Sequence, residues 1–562
     1  MKQSYGAALL GAVLVMLILS YNFIFHPLQH GTPVITMPQV THRILLVPLD
    51  SRPPCRQFVI DAARLVGCEI ISPPSEILDY YSQPGKTEAM QQWVRDNITG
   101  CGAAILSVDQ LLHGGLLASR EAKKTPQDTD CLLTFLKTIH TEHPEIPLYA
   151  FNILPRILPP DSIDGRMEKK LLMEYSRLAD RIDLATIPEQ EDLDELAELR
   201  SEIPAESLRR YDALFAENAR MNLQLIDLAA NGTLKRLIIG QDDGERYGIP
   251  NREKRELERH INTLKLSDEK VYVTFGADEI ALSLLAFIEA QKNHYEPRIA
   301  LRYNSEATPW RIMPYMAAAM ETTALEKIAL AGGELVENGS ADFTLYLSAN
   351  DKETLSTRKT SSDMIKSLLD SGEHIALVDL SVAFRADEAM LPFLVKNDTP
   401  LHALSSYAGW NTASNAIGTA VAQAVLFETA RHRAQTPDEL AALAHAQFTY
   451  LDQRFLEDYF YLKDIIDGVN FTLVRAGYVN TSDLDLDHNS RWANTMLQNA
   501  MKHRAAAFSG SKAWRSPITL SSPSATATFS ASKLTPDAWY PWPRTFEIMM
   551  QAKTEILQNK KP

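Results

Sequence analysis

Gly240-Gln-Asp-Asp-Gly244 stands directly behind the apolar run Leu234, Leu237, Ile238 and Ile239, so Asp242 and Asp243 sit where a buried strand should end. Ligands of open α/β sheets and of α/β barrels bind outside the carboxyl ends of the strands. The same pattern of apolar strand followed by acid recurs at Asp50, at Asp109 and at Asp278 with Glu279. Four strand ends therefore offer carboxylates to one face. Two carboxylates from neighbouring strand ends meet the requirement of glycoside hydrolysis, in which one donates a proton to the leaving oxygen and the other attacks or activates water. Asp242, Asp243 and Glu279 are the expected catalytic set. The same acids can instead hold a divalent cation through oxygen ligands. Helix capping accounts for any one of them and is strained by four.

Around these acids lie the expected substrate-binding residues. Asp50 and Arg52 occupy a proline-framed turn, Pro48-Leu-Asp-Ser-Arg-Pro53, where they either face the crevice or pair with each other and brace the turn. Asp109 is followed by His113, Gly114 and Gly115, then by Arg120, whose fork suits a carboxylate or phosphate. His113 on its own is more often a satisfied loop residue than a base. Tyr407, Trp410 and Asn411 precede an alanine-rich helical run, Ala413 to Ala430, whose start offers free N–H groups and an aromatic face for a sugar ring. Trp539, Trp542 and Arg544 lie in a proline-rich segment able to fold over the crevice or to seal an interface.

Positioning these groups falls to short apolar strands alternating with amphipathic helices from residue 43 to about 430. That rhythm predicts an α/β fold with mostly parallel sheets in two Rossmann-like or barrel-like units, followed by a mainly helical C-terminal region. Candidate strands are 43–49, 67–72, 102–108, 147–153, 181–187, 234–240, 271–276, 298–303, 342–348, 374–380 and 400–405, more than one eight-stranded barrel uses. The expected division is an anchor and tether over 1–40, α/β domains over 41–290 and 291–434, and a helical region over 435–562. Residues 509–535, rich in Ser, Thr and Ala, read as β or loop.

Ala7 to Phe25 is an apolar run behind a single Lys2, long enough to cross a bilayer and without a small-residue cleavage pattern. It predicts a single-pass inner-membrane anchor with the body in the periplasm, or a secreted body if the segment is cleaved. With 71 acidic against 56 basic residues the formal charge is −15, and no long Lys/Arg run is present, which argues against nucleic acid as a partner. Cys55, Cys68, Cys101 and Cys131 fit one or two disulfides in an exported protein and fit free buried thiols equally well.

The stretches Pro48-Leu-Asp-Ser-Arg-Pro, Asp109-Gln-Leu-Leu-His-Gly-Gly-Leu-Leu-Ala-Ser-Arg, Gly240-Gln-Asp-Asp-Gly, Gly276-Ala-Asp-Glu, Tyr407-Ala-Gly-Trp-Asn-Thr, Arg454-Phe-Leu-Glu-Asp and Pro541-Trp-Pro-Arg-Thr-Phe-Glu follow one another in that order. In them the chain resembles the bacterial family catalogued as domain of unknown function 4127, over nearly everything after the anchor. The resemblance implies a family and no reaction. Gly-x-Ser-x-Gly, His-Glu-x-x-His and Gly-x-x-x-x-Gly-Lys-[Ser/Thr] are all absent, which lowers serine esterases, zincins and nucleotide hydrolases. The expectation is a carbohydrate-active hydrolase working on a carbohydrate or cell-wall fragment, with no cofactor expected, although the same acids could hold a divalent cation. The rivals are a metal-dependent hydrolase or isomerase and a non-catalytic sugar- or peptidoglycan-binding protein.

Overall fold

The computed structural model describes residues 31–121, 124–337, 339–350, 355–409 and 412–559; the expected anchor, residues 7–25, lies outside them, as do Trp410 and Asn411. A short strand, β1 (Gly31–Val34), belongs to the last sheet of the molecule. The first parallel sheet follows: β2 (His42–Val47), β3 (Cys68–Ile71), β4 (Ala103–Ser107), β5 (Leu148–Leu154), β6 (Arg236–Gln241) and β7 (Val271–Phe275), in spatial order β3-β2-β4-β5-β6-β7. Strands β5 and β6 are buried at every residue, as expected for a sheet covered on both faces, and this is why they read as continuous apolar runs.

The second sheet repeats the winding: β8 (Arg298–Tyr303), β9 (Glu334–Leu335), β10 (Phe343–Asn350), β11 (Ile375–Ser381) and β12 (Ser406–Ala408), in the order β9-β8-β10-β11-β12, again all parallel. Both are open, doubly wound sheets, which settles the choice between Rossmann-like and barrel-like units. In each, strand order reverses beside the first strand, at β2/β4 and at β8/β10, where crevices form.

Two expected strands change. Residues 181–187 form no strand: Arg166–Leu184 is a helix that buries Leu172, Tyr175 and Leu178, and Ile187 is exposed. It belongs to a group of three helices, with Gln190–Glu202 and Ala205–Ala230, inserted between β5 and β6. The strand expected at 400–405 begins later, at Ser406, after a 3₁₀ turn over Leu401–Ala403.

After Thr436 the chain is helical through Pro437–Arg454, Ile466–Arg475 and Ser490–Ser509, with Phe455–Ile465 wound as a π-helix between the first two. It then closes with β13 (Ile518–Ser521), β14 (Thr526–Trp539) and β15 (Met549–Asn559), antiparallel in the order β1-β15-β14-β13. Of the expected β or loop reading over 509–535, β13 and most of β14 are strand, and the sheet adds β15 and β1, which the mainly helical reading did not include. Pro536 sits in β14 beyond the end of β13, where that edge needs no N–H.

The expected boundary at residue 290 separates two sheets but not two cores. One apolar cluster runs through both sheets and the helices after Thr436. At its centre Ile280–Lys292 packs on Ala413–Arg433, and both helices are buried along nearly their whole length. Close approach requires Gly418, where a Cβ would lie 2.3 Å from Glu279 Cγ. The shared core fixes the strand ends of the two sheets against each other.

Candidate active-site cleft

A cleft of about 630 Å³ lies where the strand ends of the first sheet meet the loops of the second and the C-terminal region. From the first sheet it receives Arg52, Arg120, Arg156, Asp242, Asp243 and Asp278; from the second, Gly409, Thr412 and Asn415; from the C-terminal region, Lys463, Trp542 and Arg544. The proline-rich segment does fold over the crevice, and Trp542 Nε1 donates to Ser51 Oγ at 2.8 Å.

Asp242 and Asp243 are neighbours in opposite electrostatic positions. Burial alone would raise Asp242, but Arg120 and Arg156 outweigh it and hold the carboxyl below its usual range. Arg120 reaches Asp242 Oδ2 through Nε at 3.1 Å and again through Nη2. Asp243, with its backbone N–H donated to Asp242 Oδ1 at 2.8 Å, is pushed up to about 7 by burial and by the Asp242 charge, against Arg120 and Arg156. The two neighbouring acids are thus pushed apart, Asp242 toward its ionised form and Asp243 toward its protonated form.

Behind the opposite wall, Arg52 organises three buried acids. Its Nη2 donates to Asp50 Oδ2 at 2.7 Å and to Asp278 Oδ1 at 2.6 Å, and its Nη1 lies 3.6 Å from Glu547 Oε1. Burial lowers Arg52, yet Asp278 and Asp50 leave it well above the ordinary arginine value. Asp278 also accepts from Asn415 Nδ2 at 3.2 Å, and burial moves it upward against the pull of Arg52. Asp50 therefore braces Arg52 and does not itself line the cleft. Both sequence readings of this pair hold in part, since Arg52 pairs with Asp50 and still faces the crevice.

Several expected site residues are placed elsewhere. Glu279 does not line the cleft. Gly276 takes φ +95°, and Glu279, at the start of the following helix, is buried with its Oε1 2.5 Å from Lys327 Nζ. Asp278 stands in the cleft in its stead. Glu279→Gln is accordingly expected to leave turnover per folded molecule unchanged while lowering the thermal midpoint, because Lys327 loses its buried carboxylate; breaking such a pair costs about 3–5 kcal/mol. Paired kcat and melting measurements check both halves.

Asp109 is fully buried beneath the cleft, where Oδ2 accepts the Ile153 N–H at 3.0 Å and ties β4 to β5; burial pushes it up to about 7. His113 lines a second cavity of about 770 Å³, and burial lowers it to about 4, leaving a neutral imidazole at neutral pH. Tyr407 is buried with its hydroxyl donated to Asp379 Oδ2 at 3.0 Å, while Gly409 two residues on reaches the cleft.

Sequence reasoning did not select Arg156, Asn415 or Lys463. Lys463 comes from the π-helix, a rare winding that recurs at functional sites. The same segment gives Asp458, whose Oδ2 accepts the Gly409 N–H at 2.9 Å, while Lys463 Nζ donates to the Asp379 carbonyl at 2.6 Å. Burial lowers Lys463 below the ordinary lysine value. The four cysteines are free, with Cys55, Cys68 and Cys101 buried and Cys131 exposed.

Two groups of side chains among the described residues have metal-like spacing: Asp50, Cys55 and Asp278 behind the cleft, and His42, Cys68 and Glu289 at the far edge of the first sheet. In the first, the Arg52 guanidinium already lies against both carboxylates.

These features define an α/β protein of two open parallel sheets with a carboxylate- and arginine-lined cleft at their strand ends. The chain belongs to the family described as protein of unknown function DUF4127, whose model matches residues 44–551. No curated protein and no solved structure matches it.

Proposed function

We propose that this protein is a hydrolase of glycosidic linkages in an envelope or environmental carbohydrate. The observation that carries the reading is the opposed pair in the cleft: Asp243 held protonated to about 7 beside an ionised Asp242, with Asp278 also lining the cleft. Asp243 gives its proton to the leaving oxygen as the anomeric C–O bond breaks. Asp278, whose ionised form Arg52 favours against the upward pull of burial, accepts a proton from the attacking water or attacks the anomeric carbon itself. The anomeric configuration of the first product separates these two courses. Asp242 holds Arg120 and maintains the field that keeps Asp243 protonated. Asp278 thus takes the part that the sequence alone suggested for Glu279. Trp542 offers an apolar face to a sugar ring.

Residues 7–25 would anchor this activity at the inner membrane with the body exported; among the described residues no helix is long and apolar enough to cross a membrane. A divalent-cation mechanism is the second reading, supported by the Asp50, Cys55 and Asp278 grouping, and it requires Arg52 to leave. The deciding experiment incubates the full chain with a panel of oligosaccharides and peptidoglycan fragments, with and without chelator, and reads products by mass spectrometry. Chelator-insensitive cleavage with gain of one water supports the glycosidase. Cleavage lost in chelator and restored by a divalent ion supports the metal reading, and retention without cleavage supports a binding protein.

A further inference from the structure

Four of the six cations that line the cleft have a carboxylate at ion-pair distance. Arg52 has Asp50 and Asp278, Arg120 has Asp242, Arg385 has Asp387, and Arg544 has Glu547. Arg156 is the exception of interest. Among the described residues it makes no ion pair or hydrogen bond, and its Nε is buried without a partner. Burial, and then the neighbouring Arg120, push it below the ordinary arginine value. Lys463, although also without a carboxylate at that distance, is satisfied by the Asp379 carbonyl. Asp242, Asp243 and Asp161 act on Arg156 through space without reaching it, so a half-buried guanidinium is left with its hydrogen-bond donors open to an anion.

Its position adds a second, geometric observation. Arg156 follows β5 directly, after Pro155, and lines both the main cleft and the adjoining cavity of about 770 Å³. Arg120, Arg544 and Leu117 line both as well, so the two spaces meet along a wall of three arginines. Arg120 and Arg544 are committed to Asp242 and Glu547, which leaves Arg156 as the arginine of this wall with no carboxylate at ion-pair distance among the described residues. On the far side, His113 is neutral and able to donate one hydrogen bond without adding charge.

We infer that Arg156 is the anion-recognising residue of the cleft, and that the substrate carries a negative group (a carboxylate, sulfate or phosphate) bound bidentately by its guanidinium at the junction of the two cavities. The inference rests on the carbohydrate reading of the cleft and narrows it to acidic sugars. Guanidinium geometry fits planar carboxylates and tetrahedral oxyanions through paired N–H donors. An anion there also screens Asp243 from Arg156, one of the two charges that hold its proton affinity down, so the acidic substrate helps keep its own proton donor protonated.

The test follows Trp542 and the other tryptophans by fluorescence as the full chain is titrated with D-glucuronate, D-glucose, inorganic sulfate and inorganic phosphate, in the parent, Arg156→Gln and Arg156→Lys. Glucuronate is expected to bind at least tenfold more tightly than glucose, Arg156→Gln to erase that ratio, and Arg156→Lys to restore part of it. If only sulfate or only phosphate shows the Arg156-dependent affinity, the acidic group is of that kind and the anion site stands. Equal affinity for glucose and all the charged probes overturns it. Turnover of neutral oligosaccharides with no preference for charge would remove this inference and leave the hydrolase; charge-dependent binding without turnover would do the reverse.

Discussion

Asp243→Asn is expected to reduce turnover by about 10²- to 10⁴-fold, the range contributed by a positioned general acid, while making the protein more stable at alkaline pH. Both effects come from one carboxyl. Burial and the Asp242 charge raise Asp243 to about 7, so the folded state holds its proton across a range in which the unfolded chain has released it. The stability this proton uptake contributes is fully present below the unfolded value near 4. It is lost as pH rises through about 7. The amide cannot ionise, so the variant escapes that loss. Its thermal midpoint should exceed the parent's at pH 8 by more than at pH 5. Turnover in the parent should fall on the alkaline side of about 7 as the donor loses its proton, and the variant's residual turnover should lack that limb. Retained activity at neutral pH would remove Asp243 from the acid's role, whatever the melting curves show.

The strand-end acids were legible because a fully buried parallel strand writes itself as an apolar run, and the residue after it must sit at the carboxyl edge. Asp50, Asp109, Asp242, Asp243 and Asp278 all stand there. Which of them face open space was not legible. Asp278 and Glu279 are adjacent, and the choice between them depends on a positive φ at Gly276 and on a buried Lys327 from a helix some fifty residues on. Arg156 carried a signal that a search for acids passed over, since Leu154-Pro155-Arg156 repeats the proline-framed strand end of Pro48 to Pro53 with only the base retained. Lys463 had no readable signal, because α-helical spacing does not predict a π-helix. The closing sheet was half legible: residues 509–535 read as β or loop, and composition left that choice open while giving no sign of β15. Its long strand β14 alternates Ser, Thr, Ala and Lys, polar enough to resemble a loop until β15 is placed beside it.

Arg52→Leu is expected to be the most damaging single change to the fold. The side chain it removes is the shared counter-charge of Asp50, Asp278 and Glu547, each at most 5% exposed. Its loss leaves acids facing one another in a region closed by Trp542, whose ring lies 5.7 Å from the guanidinium carbon. Breaking a buried pair by removing one partner costs about 3–5 kcal/mol, and here one cation serves three acids. Asp278 and Glu547 are already raised by burial, and Arg52 is a leading opposing influence on both. Without it they rise further and are ionised only at higher pH. The deficit relative to the parent should therefore be largest above neutrality and shrink as pH falls and the acids take up protons. Arg52→Lys keeps the charge but not the fork that spans two carboxylates, and should fall between the two. Denaturant unfolding of the three proteins at pH 5 and pH 8 reads this directly. An Arg52→Leu variant as stable as the parent at pH 8 would mean that Arg52 is not the keystone of the buried acids, and Asp278 could then no longer be assigned as the carboxylate whose ionised form Arg52 supports.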